Sequence, residues 1–443
     1  MKYLQKQDKE IYSLIALEEK RQQETLMMIP SENIASRAVE EAVGSVLGNK
    51  YSEGYAGKRY YQGNKVIDKV EELVMERAKR LFGVPFVNVQ PHSGSPANFA
   101  VYNALLKPGD TLMGLTLSSG GHLTHGAKFT ASSKYFNSVQ YEVGENGWLD
   151  YDVLEKQVKK VRPKLIVAGI TAYPRRLDWK RFAQIAESVD ALVMADISHL
   201  AGLVAAGVYP SPVPYMHVVT TTTHKTLRGP RGAMIMVTNK GLKHDLEMGE
   251  KINKSIIPGI QGGPHMNSIA GIGVALKEAS RASFKKYASQ ILKNADVLAK
   301  ELVKYDFNLV SGGTDSHLLL IDIRNKELLG NTFAEGCDEA HIVFNRNGVP
   351  YDPNPPFYPS GIRLGTPGTT SRGMKEKEMK LIASYLNEIA EGLKETKKKL
   401  KLSTEDEKKR VNRQSIIQKT PAIKKIQKEI KALCRRYPIK LSY

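Results

Sequence analysis

The run Val218-Val219-Thr220-Thr221-Thr222-Thr223-His224-Lys225 places one lysine at the end of a β-branched stretch, and Gly229-Pro230-Arg231-Gly232 follows at once. An ammonium held close to the Arg231 cation has its pKa lowered, because like charge disfavours the protonated form. A neutral lysine amine is a nucleophile that forms Schiff bases with carbonyl compounds. The chain contains 65 Lys and Arg, and a lysine taken alone is a solvated surface charge. Its surroundings single Lys225 out.

Two further apolar runs end in polar residues in the same way. Leu165 to Ile170 gives way to Thr171-Ala172-Tyr173-Pro174, and Ala191 to Ala195 gives way to Asp196-Ile197-Ser198-His199. Short, nearly continuous apolar runs separated by helical stretches predict parallel strands buried on both faces. Ligands of open α/β sheets bind beyond the carboxyl ends of the strands. Asp196, His199, His224 and Lys225 all belong at that edge. A carboxylate and an amine on neighbouring strands are the pair that pyridoxal phosphate chemistry needs, one for the ring nitrogen and one for the aldehyde. Ser93-Gly94-Ser95, at the start of a helical pattern, offers hydroxyls and free N–H groups at a positive helix end, a cradle for phosphate. Ser and Gly also cap ordinary helices, so this signal gains meaning only beside the others. Gly262-Gly263 would let a second stretch of backbone approach the same phosphate, or serve as a simple turn.

These residues require a scaffold. Alternating strands and helices to about residue 240, then a long helical pattern from Ser268 to about Lys304, predict an α/β fold in two domains. A helix is expected over 66–82, with Val70, Leu73, Val74 and Ala78 on one face, and strands over 317–323 and 341–345. The first thirty residues read as helical. Thr420-Pro421 starts a last helix carrying Ile423, Ile426, Ile430 and Leu433 on one face. The expected division is an N-terminal arm over 1–25, a large domain over 26–275 and a small α+β domain over 276–443, with a lysine-rich insertion at about 396–418. No apolar run is long enough for a membrane span. Two cysteines, Cys337 and Cys434, have no metal-ligand spacing and fit a reducing cytoplasm. Most of the +19 formal charge falls in residues 394–443. A solvated helical face is the plain explanation, and an RNA-binding patch is the alternative, though no aromatic residues interleave with the lysines. On either reading, deleting residues 398–415 is expected to leave catalysis nearly intact.

Several long motifs occur together in one order. They are Ser31-Glu32-Asn33, Lys50 to Tyr55 continuing through Gly57-Lys58-Arg59-Tyr60-Tyr61, Gln90 to Ser95, Gly120 to Gly126, Thr220 to Thr226, Gln261 to Pro264 and Ser360 to Pro367. In these the chain resembles the serine hydroxymethyltransferases, fold-type-I pyridoxal phosphate enzymes, over roughly residues 5–395 and again at the final helix. The resemblance implies a large domain with a mostly parallel mixed sheet between helices, and reversible transfer of the serine hydroxymethyl carbon to tetrahydrofolate, giving glycine. It implies that Lys225 holds pyridoxal 5'-phosphate, with Thr222, His224 and Arg231 beside it as further catalytic candidates. Asp196 would keep the ring nitrogen protonated, His122 would stack on the ring and His199 would lie near the ring hydroxyl. Ser93, Gly94, Ser95, Thr171, Gly262, Gly263 and Tyr51 would complete the cofactor site. Ser31 and Arg363 would grip the substrate carboxylate together with Tyr51, Glu53 and Tyr61, and Glu53 would move protons around the serine hydroxyl. Leu117, Gly121, Leu123, Asn347 and Phe357 would line the folate pocket. A homodimer with shared active sites, or a tetramer built from such dimers, is implied as well.

The chain departs from the family pattern at Thr171, where serine is commoner, and at Ser118-Ser119, Ser198 and Arg228. The segment Tyr351 to Phe357 also matches less well. A folate-independent aldolase acting on β-hydroxy amino acids is the nearest alternative activity.

Overall fold

The computed structural model describes residues 2–439. One compact unit is Ala35–Ser289, and the second gathers the described residues on either side of it. The first unit is built on a seven-stranded sheet. From one edge it runs Phe86–Asn88, Ala233–Val237, Val218–Thr222, Leu192–Asp196, Leu165–Gly169, Thr111–Leu115 and Asn137–Tyr141. The last five strands are mutually parallel, and Ala233–Val237 runs antiparallel to both of its neighbours. Every residue of Leu165–Gly169 and of Val218–Thr222 is buried, which explains their unbroken apolar or β-branched character. The parallel arrangement brings the ends of these strands, and with them Asp196 and Lys225, to one edge.

The helix expected over 66–82 spans Lys65–Phe82 and buries Ile67, Glu71, Val74, Ala78 and Phe82 on one stripe, before Gly83 ends it at φ 70°. The long helix expected from 268 to 304 is two helices, Met266–Ala279 and Ala282–Lys304. Ser280 separates them, its hydroxyl donating to the Lys277 carbonyl at 2.8 Å, a local bond that competes with continued helix.

The second unit holds a four-stranded antiparallel sheet in the order Asn308–Leu309, Leu318–Asp322, Gly361–Gly365, Asn345–Asn347. The single strand expected over 341–345 is divided: Ile342–Val343 pairs in parallel with Leu26–Met27, while Asn345–Asn347 pairs with Gly361–Gly365. The first pairing ties the N-terminal segment into this unit, so the unit boundaries fall at Ala35 and Ser289 rather than at 26 and 275. The helix Lys9–Glu24 joins the same unit through Arg372. This guanidinium is only 6% exposed and gives all five of its N–H groups to carbonyls. Nε donates to Tyr437 at 2.8 Å, Nη1 to Gln22 and Thr25 at 3.0 Å each, and Nη2 to Gln23 at 2.9 Å and Cys434 at 3.0 Å.

The lysine-rich insertion is more than a solvated face. Lys397 is buried and pairs with the buried Glu407 at 2.7 Å, while Glu407 also accepts the Leu329 N–H at 3.0 Å. Arg413 reaches both oxygens of Glu335, and Lys394, Lys408, Lys425 and Lys431 each pair with a carboxylate. Deleting 398–415 removes Glu407 and leaves Lys397 without its buried partner, a loss on the order of 3–5 kcal/mol. Such a deletion is therefore expected to destabilise this unit, and a urea titration of the shortened chain beside its turnover separates that loss from any direct effect on catalysis. Among the described residues no helix is long and apolar enough to cross a membrane.

Candidate active site

Lys225 follows the carboxyl end of strand Val218–Thr222, and its Nζ donates to Thr222 Oγ1 at 2.7 Å. The Thr222 N–H donates to Ser198 Oγ at 3.0 Å, and the Ser198 N–H donates to Asp196 Oδ1 at 3.0 Å. One hydrogen-bonded chain thus links the amine to the carboxylate across two neighbouring strands. Gly94 completes the group: a Cβ there would lie 2.7 Å from Thr222 Cγ2, so only glycine lets the helix start approach this closely. Ser93 stands at the N-cap of helix Gly94–Leu105 in extended geometry, with no side-chain capping bond. Its hydroxyl and the first helical N–H groups are therefore available to an anion.

Asp196 is nearly fully buried. Its Oδ2 accepts from Asn98 Nδ2 at 2.8 Å and from His125 Nε2 at 3.1 Å. His125 Nδ1 accepts the His122 N–H at 3.2 Å, which places the proton of a neutral ring on Nε2, toward Asp196. Burial alone would raise the Asp196 pKa, but the hydrogen bonds from His125 and Asn98 hold it well below the usual carboxylate range. Asn98 is itself fixed, accepting from Thr220 Oγ1 at 2.7 Å and donating to Thr124 Oγ1 at 2.9 Å. Thr124 in turn bonds His122 Nδ1 at 2.8 Å. Burial, aided by His125, lowers His122 to about 4, so its ring is neutral near pH 7. A neutral, held imidazole is suited to lie on the face of an aromatic ring.

The remaining expected residues sort into groups. Thr171 donates its hydroxyl to the Gly121 carbonyl at 2.9 Å, so it supports the loop that carries His122. That loop depends on Gly120, at φ 94°, where a Cβ would meet Tyr173 N at 2.3 Å. His199 is buried, and its carbonyl accepts from Thr226 Oγ1 at 3.0 Å. His224 is lowered to about 3 by burial and by the Lys225 and Arg231 charges, while Arg231 itself is exposed. Arg228 lies over the Tyr287 ring at 5.0 Å. Tyr51, Glu53, Tyr61, Gly262 and Gly263 form a second cluster. Tyr51 Oη donates to Glu53 Oε1 at 3.2 Å, the Tyr51 and Tyr61 rings meet edge to face at 5.1 Å, and Gly262 and Gly263 lie against Glu53 and Tyr51. Leu117 and Leu123 are exposed near Gly121 in this unit. Ser31, Arg363, Asn347 and Phe357 belong to the other unit. There Arg363 Nε donates to Asn345 Oδ1 at 3.0 Å, burial lowers the guanidinium to about 10, and Phe357 is exposed.

Sequence reasoning passed over Asn98, Thr124 and His125 as site residues. The available signal was spacing: His125 lies three residues after His122, and Asn98 lies one helical turn after Gly94-Ser95.

An amine and a carboxylate held in its ionised form on adjacent strand ends, an uncapped helix start and a neutral imidazole are complementary to pyridoxal phosphate. With the mixed sheet between helices they define a fold-type-I pyridoxal phosphate enzyme. A family model for serine hydroxymethyltransferase matches residues 4–386. A serine hydroxymethyltransferase of Desulfotalea psychrophila is 49% identical over 438 residues, 99% of this chain and 96% of that protein. One from Francisella tularensis subsp. mediasiatica is 53% identical over 386 residues, 87% and 91% of the two chains. The chain belongs to the serine hydroxymethyltransferase family, pyridoxal-phosphate-dependent one-carbon transferases with tetrahydrofolate as co-substrate.

Proposed function

We propose that this chain carries out the reversible serine–glycine interconversion of its family with Lys225 as the residue that binds the cofactor aldehyde. When bound, pyridoxal phosphate supplies an electron sink for the carbon bond being broken. The protein's own residues do the rest. Ser93, Gly94 and Ser95 would hold the phosphate, and Asp196, oriented by His125 and Asn98, would keep a proton on the ring nitrogen. His122 would cover one ring face, and His199 would serve the ring hydroxyl. Arg363 and Ser31 orient the substrate carboxylate, a charge-assisted contact worth on the order of 1.5–3 kcal/mol. Glu53 moves the proton of the serine hydroxyl. By family resemblance, Leu117, Gly121 and Leu123 of the first unit, and Asn347 and Phe357 of the second, are each assigned to folate binding.

The observation that carries this reading is the bonded path from Lys225 through Thr222 and Ser198 to Asp196. Borohydride reduction of the cofactor-loaded protein, followed by peptide mapping, should label Lys225. A label on another lysine, or none, rejects the assignment.

Tyr51, Glu53, Tyr61, Gly262 and Gly263 act, on this proposal, in the active site of a second subunit. What supports it is that Tyr51, Tyr60 and Tyr61 are 56%, 68% and 47% exposed on one loop, a costly presentation of aromatic surface unless a partner covers it. Mixing inactive Lys225→Ala and Tyr61→Ala proteins should then restore about a quarter of wild-type activity, since half of the dimers are hybrids with one intact site each. No recovery after confirmed subunit exchange means that the tyrosines act within their own chain.

A further inference from the structure

Glu53 precedes the hairpin formed by strands Gly54–Tyr55 and Lys58–Arg59, and its carbonyl accepts the Tyr60 N–H at 3.1 Å. The Arg59 side chain ties this hairpin to the rest of the unit. Its Nη1 donates to the Ser52 carbonyl at 2.9 Å and to the Gly54 carbonyl at 2.8 Å, the carbonyls of the two residues that flank Glu53. Its Nε donates to Asp68 at 2.9 Å, and its Nη2 pairs with Glu71. Both carboxylates come from the rigid helix Lys65–Phe82.

Gln90 joins this network from another direction. Its Nε2 donates to Glu71 Oε1 at 2.6 Å and to the Gly54 carbonyl at 3.0 Å. Its own carbonyl accepts from Gln261 Nε2 at 2.9 Å, just before Gly262-Gly263, and Gln261 Oε1 accepts the His92 N–H at 3.0 Å. Gln90 lies three residues before Ser93. The Gly54 carbonyl is thus held twice, once by Arg59, itself paired with carboxylates of the helix, and once by Gln90 from the segment that leads into the phosphate cradle. Arg59 and Glu71 side chains are 4% and 1% exposed, and Gln90 is 1% exposed, so water does not compete for these bonds.

We propose that Arg59 and Gln90 are positioning residues for Glu53, fixing its loop against the helix Lys65–Phe82 and against the segment leading to Ser93. The inference rests on the reading of Glu53 as the proton-transfer residue. A carboxylate that must reach one hydroxyl proton is sensitive to displacement of about 1 Å, which costs on the order of 10²-fold in rate.

The test uses full-length, cofactor-loaded protein with Gln90→Met, which removes both side-chain donors at similar volume, and Arg59→Lys, which keeps the charge but loses the fork. Amide exchange of residues 51–57 should quicken in both. Tetrahydrofolate-dependent kcat for serine should fall about 30- to 100-fold, with the serine KM moving less than about threefold. In a Glu53→Gln background the same changes should cost less than about threefold, because residues that act through one another are not additive. Should either variant fail to fold, the other carries the test. Unchanged exchange, or losses that multiply fully with that of Glu53→Gln, would overturn the proposal. Wild-type turnover in Glu53→Gln alone would instead remove the underlying reading of Glu53, while the exchange data still report whether the loop is held.

Discussion

Asp196→Asn should retain the fold and lose serine turnover on the order of 10²–10³-fold, the scale seen when one fixed electrostatic group is removed from an active site. The carboxylate accepts three donors: His125 Nε2–H and Asn98 Nδ2–H on Oδ2, and the Ser198 N–H on Oδ1. A carboxamide has only one accepting end. Whichever way it is turned, its NH2 group faces an existing donor, and at least one buried N–H is left unsatisfied. That conflict costs about 1–3 kcal/mol in stability. The larger loss lies in function, because a neutral amide does not hold a proton on a pyridine nitrogen. Steady-state serine cleavage and a urea midpoint separate the two effects. Wild-type turnover would remove Asp196 from the chemistry, whereas complete unfolding would show that the three donors serve chiefly to hold the strand end.

Arg372→Met should destabilise the second unit by more than about 4 kcal/mol, among the largest effects expected of a single substitution. Five carbonyls converge on this guanidinium, from Gln22, Gln23, Thr25, Cys434 and Tyr437. They belong to the carboxyl ends of helices Lys9–Glu24 and Pro421–Arg436, where the backbone runs out of its own donors and the dipole is negative. Among the described residues no carboxylate pairs with Arg372, so the helix ends are its counter-charge. Burial lowers its pKa from the ordinary arginine value. Arg372→Lys supplies three donors in place of five and should give an intermediate loss. The measurement is a urea titration followed by amide exchange, so that opening of this unit is resolved from that of Ala35–Ser289. A loss below about 1 kcal/mol in Arg372→Met would show that water replaces the clamp.

The strands that carry Lys225 and Asp196 were legible in the sequence because each is buried on both faces and therefore written in consecutive apolar or β-branched letters. The helix Lys65–Phe82 was legible from its helical spacing, but its buried face was half misplaced: Val74 and Ala78 are buried as expected, whereas Leu73 is 50% exposed and Val70 only partly covered, and Ile67, Glu71 and Phe82 complete the stripe instead. The motif resemblance supplied the rest of the cofactor site. What escaped was of a different kind. Asn98 and His125 act on Asp196 from 98 and 71 residues away in sequence, and no local pattern encodes such a pairing. The break at Ser280 was hidden because apolar spacing continues across it. The buried Lys397 was lost among its neighbours: a charge run looks solvated until the single acid that covers one member, Glu407, is placed by the chain folding back.

The Arg372 clamp has a consequence for biosynthesis. Residues 22–25 leave the ribosome early, but two of the carbonyls that share their guanidinium belong to residues 434 and 437. At translation rates of about 5–20 residues per second, the leading segment waits roughly 20–80 seconds for its counterpart. The sheet of Ala35–Ser289 can form during that interval, whereas the five-carbonyl clamp on the N-terminal helix closes only after residues 434 and 437 are made. Nascent chains stalled before residue 434 should therefore show the N-terminal helix more open to protease than the body Ala35–Ser289.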